Sequence, residues 1–359
     1  LREYRIAVIP GDGIGEEVTP GGVEVLNTAA ERVGGFRLRY EEFPWGCNHY
    51  LSHGLMMPED GLRMLASFDA IYFGAVGFPG VPDHVSLRGL RLPICQGFEQ
   101  YVCLRPSQIL PGIPSPLAGK TAGDVDFVVV RENTEGEYAG AGGRAHEGHP
   151  SETAVQTTIF SRVGVERVVR YAFDLSRSRR RRLVSATKSN AQQHAFTFWD
   201  EVVEEVGRDF PDVEAERVLV DALAARFVLA PESLDVVVAS NLFGDILTDL
   251  GAAICGSLGV APSGNINPER AYPSMFEPVH GSAPDIVGQG IANPLGMIAC
   301  GAMMLDFLDE KEAAGLVDSA IRAASAEGRT RTPDLGGTAT TRDVVDAVLE
   351  RMAEGPPVS

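Results

Sequence analysis

An α/β architecture of two lobes is what the sequence predicts, and three observations carry that expectation. Short apolar segments of strand length alternate with segments of helical periodicity along the chain. At 359 residues, 44 % of them hydrophobic, the chain is long for a single core. The charged run Asn241-Leu242-Phe243-Gly244-Asp245-Ile246-Leu247-Thr248-Asp249 directly follows an apolar strand at 234–240. That is the carboxyl end of a strand, where open α/β sheets place their ligands.

The first strand, over 5–9, runs into Pro10-Gly11-Asp12-Gly13-Ile14-Gly15-Glu16 and a helix over 16–33. The glycine spacing is Gly-x-Gly-x-Gly rather than the dinucleotide fingerprint Gly-x-Gly-x-x-Gly, and no acidic residue ends a second strand at the right distance. The segment therefore predicts only a strand–turn–helix with a close backbone approach. Further strands are expected at 70–73, 126–130, 183–186, 217–220 and 235–239, and helices at 165–175, 191–206 and 341–352. Pro and Gly cluster at 78–82, 106–119, 262–268 and 332–337, which reads as loops. The basic run Arg177-Ser178-Arg179-Arg180-Arg181-Arg182 follows a helix, where cations complement the helix dipole. No internal repeat is present, and the tail 355–359 is expected to fray.

Composition excludes several classes of partner. A formal charge of −18 argues against nucleic acid and anionic membranes. No apolar run approaches the ~18–20 residues needed to span a bilayer. The chain enters a strand at once with no signal-peptide pattern, and its five cysteines are scattered without zinc-ligand spacing. A cytoplasmic protein with reduced thiols is expected.

Several residue types suit one chemistry. Asp245 and Asp249 stand four apart on a helix, so both carboxylates share one face, one turn apart. Most such pairs are solvated surface, but at a strand end they suit a hard divalent cation, Mg²⁺ or Mn²⁺. Arg88, Arg91, Arg105 and Arg131 offer the fixed donor forks that a dicarboxylate needs. Tyr138 follows Arg131 closely, and a phenol near cations can donate a proton. Lys188, between a strand and a helix, can serve as a base, and Asp221 is a third strand-end carboxylate. Farther on, Glu277-Pro278-Val279-His280-Gly281-Ser282-Ala283-Pro284-Asp285-Ile286 allows close backbone approach to a pyrophosphate at Gly281 and Ser282. The Asp285 carboxylate would accept ribose hydroxyls and repel a 2′-phosphate.

The run 241–260 resembles the signature of the metal-dependent β-decarboxylating dehydrogenases, the isocitrate/isopropylmalate dehydrogenase family, and further matches follow in the family's order along nearly the whole chain. The resemblance implies a non-Rossmann, two-lobed fold with the site in the inter-lobe cleft. A large cofactor lobe would comprise 1–100 and 256–359, and a small lobe 101–255 would carry a clasp arm at about 138–160. The resemblance assigns the substrate carboxylates to Arg105, in Val102-Cys103-Leu104-Arg105-Pro106, and to Arg131. Tyr138 would protonate the carbon left after CO₂ departs, and Lys188 would take the substrate hydroxyl proton. Asp221, Asp245 and Asp249 would hold the metal, with Asp221 also a proton relay. Lys188 and Asp221 would come from the partner subunit of a homodimer, and Asn190 would touch substrate or cofactor. His280, Gly281, Ser282, Ala283, Asp285 and Ile286 would line the cofactor, with Asn293 facing the adenine. NADP-using relatives carry Lys-Tyr where this chain has Asp285-Ile286, which implies NAD. K⁺ is a further candidate cation.

Trp45-Gly46, His53-Gly54-Leu55-Met56-Met57-Pro58 and Val81-Pro82-Asp83-His84-Val85-Ser86-Leu87 resemble the tartrate/D-malate branch. The substrate implied is a small 2-hydroxy dicarboxylate, D-malate or tartrate. A 3-isopropylmalate or other 3-substituted malate dehydrogenase is the alternative, and a non-catalytic regulatory subunit is the alternative of a different class. One departure stands out: the family's first substrate arginine falls at Cys95. A thiol cannot replace a bidentate guanidinium. Either Arg88 or Arg91 reaches into the site instead, or the substrate differs.

Overall fold

The computed structural model describes residues 1–354, and the tail 355–359 lies outside the described residues. The strands are β1 (Arg2–Gly11), β2 (Phe36–Glu42), β3 (Ala70–Ala75), β4 (Val102–Gln108), β5 (Asp126–Glu132), β6 (Gly142–Ala145), β7 (Thr153–Gln156), β8 (Arg182–Thr187), β9 (Glu214–Leu219), β10 (Val236–Ala239), β11 (Pro262–Ile266) and β12 (Ser274–Pro278). Ten of them form one mixed sheet in the order β2-β1-β3-β12-β11-β4-β5-β10-β8-β9, and β6 and β7 pair separately. The fold is α/β.

Both ends of the sheet are parallel: β2, β1, β3 and β12 at one, β5, β10, β8 and β9 at the other. Parallel neighbours need crossovers, which helices supply. Gly15–Val33 links β1 to β2, Ala195–Gly207 links β8 to β9, and Val220–Leu229 links β9 to β10. Helices cover both faces, so the central strands are buried on both sides; β3 and β10 are buried throughout and read as unbroken apolar runs. The two parallel ends meet through antiparallel pairs, β12 with β11, β11 with β4, and β4 with β5. Strands from 1–100 and from beyond 256 build one half, and strands from 101–255 build the other. The main core fills both halves, with Phe127, Phe173, Phe196, Trp199 and Phe227 among its largest members. A smaller cluster around Ile9, Phe43, Trp45, Phe73, Ile94 and Cys95 packs on one face of β1 and β3. Among the described residues no helix is long and apolar enough to cross a membrane.

Three expectations from sequence are corrected. The loop expected at 262–268 is largely β11, with Pro262 at its first position, where a missing N–H is tolerated. The loop expected at 106–119 begins inside β4, which continues to Gln108. The pairing of β4 with β11 ends at Leu104, so Pro106 has an edge free of ladder hydrogen bonds. The basic run does more than meet a helix dipole. Arg179 Nε donates to Asp235 Oδ1 (2.9 Å), and the Arg180 and Arg182 backbone N–H groups donate to Asp235 Oδ2 (2.9 and 3.3 Å). The Asp235 side chain is fully buried. These arginines therefore satisfy a buried carboxylate, which would be costly left unpaired.

Candidate active site

The antiparallel seam builds the floor of the site. Asn265 lies opposite Cys103, Cys103 opposite Arg131, and Ser263 opposite Glu277. Directly opposed residues, and residues two apart on one strand, point to the same face. Glu277, Asn265, Arg105 and Arg131 therefore share one face, with small Cys103 and Ser263 between them. Arg91 arrives on that face from the π-helical turn Leu87–Arg91, which lies between the short helices Asp83–Ser86 and Leu92–Gly97. Its Nε donates to Glu277 Oε1 (2.7 Å) and its Nη2 to Asn265 Oδ1 (3.2 Å). The network closes through Asn265 Nδ2 to Glu277 Oε1 (2.7 Å) and Asn133 Nδ2 to Asn265 Oδ1 (2.9 Å).

The helix Asn241–Ile254 leaves β10 over this floor. Gly244 faces the Arg131 stem so closely that a Cβ there would sit 2.6 Å from Arg131 Cγ. Arg131 Nε and Nη2 donate to Asn241 Oδ1 (3.0 and 2.7 Å), and its Nη1 pairs with Asp245. Tyr138 lies in the short turn Glu137–Ala139, and its hydroxyl donates to Asp245 Oδ2 (2.7 Å). Arg105 Nη1 donates to Thr248 Oγ1 (2.7 Å) and stands 3.5 Å from Asp245 and 3.8 Å from Asp249. Arg105, Arg131, Tyr138, Asp245 and Asp249 are thus one cluster.

Electrostatics separates the roles of its members. Burial alone would raise the Asp245 pKa, but Arg131 and Arg105 outweigh it and hold the carboxyl at about 2. Asp249 has no hydrogen bond among the described residues, and burial raises its pKa. Burial and the Asp245 charge raise the Tyr138 pKa, so the phenol keeps its proton.

Lys188 and Asp221 form a second group. Lys188, just past β8, donates from Nζ to Asp221 Oδ1 (2.7 Å), which lowers the Asp221 pKa. No hydrogen bond or ion pair joins them to the Asp245 cluster among the described residues. Consistent with this separation, no three His, Cys, Asp or Glu side chains among the described residues are grouped to hold a metal ion. Asn190 is exposed in the turn after Lys188.

The segment containing His280 to Ile286 is braced against the first turn of the chain. The Ser282 carbonyl accepts from Ile14 N–H (2.9 Å), and a Cβ on Gly13, where φ is +60°, would lie 2.2 Å from that oxygen. Only glycine fits there. Asp12 fixes the same turn by accepting from Cys47 N–H (2.7 Å) and Gly77 N–H (2.9 Å). Ala283 adopts φ +41°, while Gly281 is open to solvent. Burial lowers the His280 pKa, and its Nε2 is buried with no partner. Asp285 is exposed beside partly buried Ile286, and its carboxylate has no partner among the described residues. Asn293 is held by Asp334 (Nδ2 to Oδ2, 3.1 Å) and by Leu295 N–H (3.1 Å).

Sequence reasoning missed the residues that hold these groups in place: Asp12, Asn133, Asn241, Asn265, Glu277 and Thr248. Asp12, Asn133, Asn241, Thr248 and Glu277 stand within the same short motifs as the candidate residues and could have been found. Asn265 could not, because only the strand register brings it beside Asn133 and Arg91.

The isocitrate/isopropylmalate dehydrogenase family model matches residues 5–348. The chain belongs to the isocitrate/isopropylmalate dehydrogenase family. It is 55 % identical over 354 residues to a probable tartrate dehydrogenase/decarboxylase of Agrobacterium vitis, covering 98 % of this chain and 99 % of the relative. It is 54 % identical over 358 residues to the decarboxylating D-malate dehydrogenase of Escherichia coli strain K12, with the same coverage. Among solved structures, isocitrate dehydrogenase from Methylococcus capsulatus superposes with a TM-score of 0.87 at 32 % identity, over 97 % of this chain and 99 % of that one.

Against that family background, Cys95 is fully buried, and burial pushes its thiol up to about 12. It is a neutral side chain that lacks the charge and the donor fork of a guanidinium. Of the two arginines nearby, Arg91 is buried on the sheet face, whereas Arg88 is exposed over the turn at Gly140.

Proposed function

We propose that this family member catalyses the NAD-dependent oxidative decarboxylation of a small 2-hydroxy dicarboxylic acid, D-malate (to pyruvate and CO₂) or tartrate, with Mg²⁺ or Mn²⁺. The observation that carries this reading is the convergence of Arg105, Arg131, Tyr138, Asp245 and Asp249. The names of its relatives in Agrobacterium vitis and Escherichia coli point to the same substrates.

The residues present fit both a divalent metal and a nicotinamide dinucleotide. Asp245 and Asp249 offer hard oxygen donors on one helix face, and Asp249 has no hydrogen bond to give up. Asp221, supplied by a partner subunit, would be the third ligand, and K⁺ would be an accessory cation. The unpartnered His280 Nε2 and the free Asp285 carboxylate suit NAD, with Gly281, Ser282, Ala283 and Ile286 along its length and Asn293 towards the adenine. When bound, the metal supplies Lewis acidity and NAD accepts hydride.

The chain's own groups do the rest. Arg105 and Arg131 hold the substrate carboxylates in fixed orientation. Lys188 of the partner removes the hydroxyl proton, Asp221 beside it acts as ligand or relay, and Asn190 lies at the same edge. Tyr138 keeps its proton until CO₂ has left, then delivers it to the vacated carbon. The clasp arm at about 138–160 and the lobes 1–100 with 256–359 and 101–255 complete the picture, with the lobe boundary at the seam between β11 and β4. The arm exposes Val155 and Ile159, and the helices Val220–Leu229 and Asn241–Ile254 expose Leu229 and Ile246, which suits a homodimer. Five free, buried cysteines suit the reducing cytoplasm.

A screen of D-malate, the tartrates, 3-isopropylmalate and isocitrate with NAD or NADP, with Mn²⁺ or after chelation, tests this reading. NADH formation from D-malate or tartrate is expected, lost on chelation, with NAD preferred over NADP by roughly a hundredfold in kcat/KM. Full activity after chelation, or equal use of both cofactors, would contradict it.

A further inference from the structure

Arg91 and Cys95 are four residues apart on one helical segment, so they lie on the same face, one turn apart. Cys95 has no exposed surface. Arg91 is as buried as the two arginines of the cluster, at 7 % exposure against 7 % for Arg105 and 1 % for Arg131. Its anchor Asn265 lies in the same cross-strand row as Arg131, with Cys103 between them, so two strand spacings, about 10 Å, separate the anchors.

Stability alone does not call for such a group. A buried Arg–Glu pair is often replaceable by apolar side chains at no loss. Here Glu277 and Asn265 engage Nε and Nη2, while Nη1 has no hydrogen-bond partner among the described residues. One edge of the guanidinium is fixed and the other is free. Arg88, the other candidate, is exposed, has no ion pair among the described residues, and lies over Gly140 beyond the Tyr138 turn. Arg91, Arg105 and Arg131 also face three carboxylates, Glu277, Asp245 and Asp249. A substrate with two carboxylates, entering with one divalent cation, leaves that balance unchanged; a monocarboxylate does not.

We propose that Arg91 is the third guanidinium of the substrate clamp, delivered from one helical turn before Cys95, and that residues 91 and 95 act together as one specificity position for the substrate's second carboxylate. The proposal rests on the dicarboxylate reading above and names the group that enforces it.

The test compares D-malate with D-lactate, which lacks the second carboxylate, by calorimetric binding to the NADH- and Mn²⁺-loaded dimer. It uses wild type, R91L, R91K and R91L/C95R. R91L should weaken D-malate binding about thirtyfold or more and change D-lactate binding by less than about threefold. R91L/C95R, with the guanidinium moved one turn along, should recover at least about tenfold of the loss. If R91L does not fold, R91K carries the comparison: it keeps the charge, loses the fork, and should weaken D-malate about tenfold with D-lactate unchanged. D-malate binding within threefold of wild type, or equal weakening of both ligands, would overturn the proposal. Wild type that binds D-lactate as tightly as D-malate and oxidises no dicarboxylate would instead overturn the functional reading beneath it.

Discussion

At Asp245 a phenol and two guanidiniums converge on one carboxylate, so its ionisation is tied to the folded state. Its pKa falls to about 2 because Arg131 and Arg105 outweigh the opposing effect of burial. A depressed carboxyl pKa stabilises the fold fully above the unfolded value, ~3.9, and that contribution is lost as pH falls through about 2. Asp245→Asn should therefore be less stable than wild type at neutral pH, with the gap closing between about pH 4 and pH 2 in denaturant titrations followed by circular dichroism. Its turnover at neutral pH should fall by about a thousandfold or more. An unchanged stability gap across that range would remove Asp245 from the ionised cluster. This residue was legible in the sequence because helical spacing puts it beside Asp249. Its charge partners were legible only in part: Arg131 stood at a strand end, but the bond from Tyr138 depends on a turn that no spacing specifies.

The element that organises the cluster is the helix Asn241–Ile254, and Gly244 is its point of contact with the sheet. Gly244→Ala would place a methyl group 2.6–2.7 Å from the Arg131 stem. Arg131 is pinned at both ends, by β5 and by Asn241, so the helix or the guanidinium must shift. The expected result is a loss of about 1–3 kcal/mol in stability and a drop in kcat/KM of about tenfold or more. Thermal unfolding and steady-state kinetics would check both, and an unperturbed kcat/KM would mean that Arg131 position is not critical. The elements themselves were unevenly legible. β3 and β10 stood out as buried apolar runs, and Gly15–Val33 by its amphipathic pattern. The helix Leu295–Phe307 is apolar nearly all round, so no 3.6-residue contrast marks it. β11 was hidden by Pro262, and β4 by Pro106, because proline signals loops unless the open edge beside it is known.

At the scale of the whole molecule, one sheet carries two parallel halves joined at an antiparallel seam, and the site stands over that seam. Alternating periodicity predicted the α/β class, but the seam depends on long-range pairing between β11, beyond residue 256, and β4, near residue 104. The same scale explains the division of the proposed machinery. Within one chain Lys188 and Asp221 bond to each other, and Asp245 is held by Arg131 and Tyr138. On the proposed function, a working site would bring both groups together by a two-fold pairing of chains. Mixed dimers of Tyr138→Phe and Lys188→Ala chains measure this most directly. Each homodimer should be nearly inactive. In a random mixture half the dimers are hybrids, and each hybrid has one site with both lesions and one with neither. About a quarter of wild-type activity should return. If hybrids form and no activity returns, each subunit holds a complete site and the shared-site account is wrong.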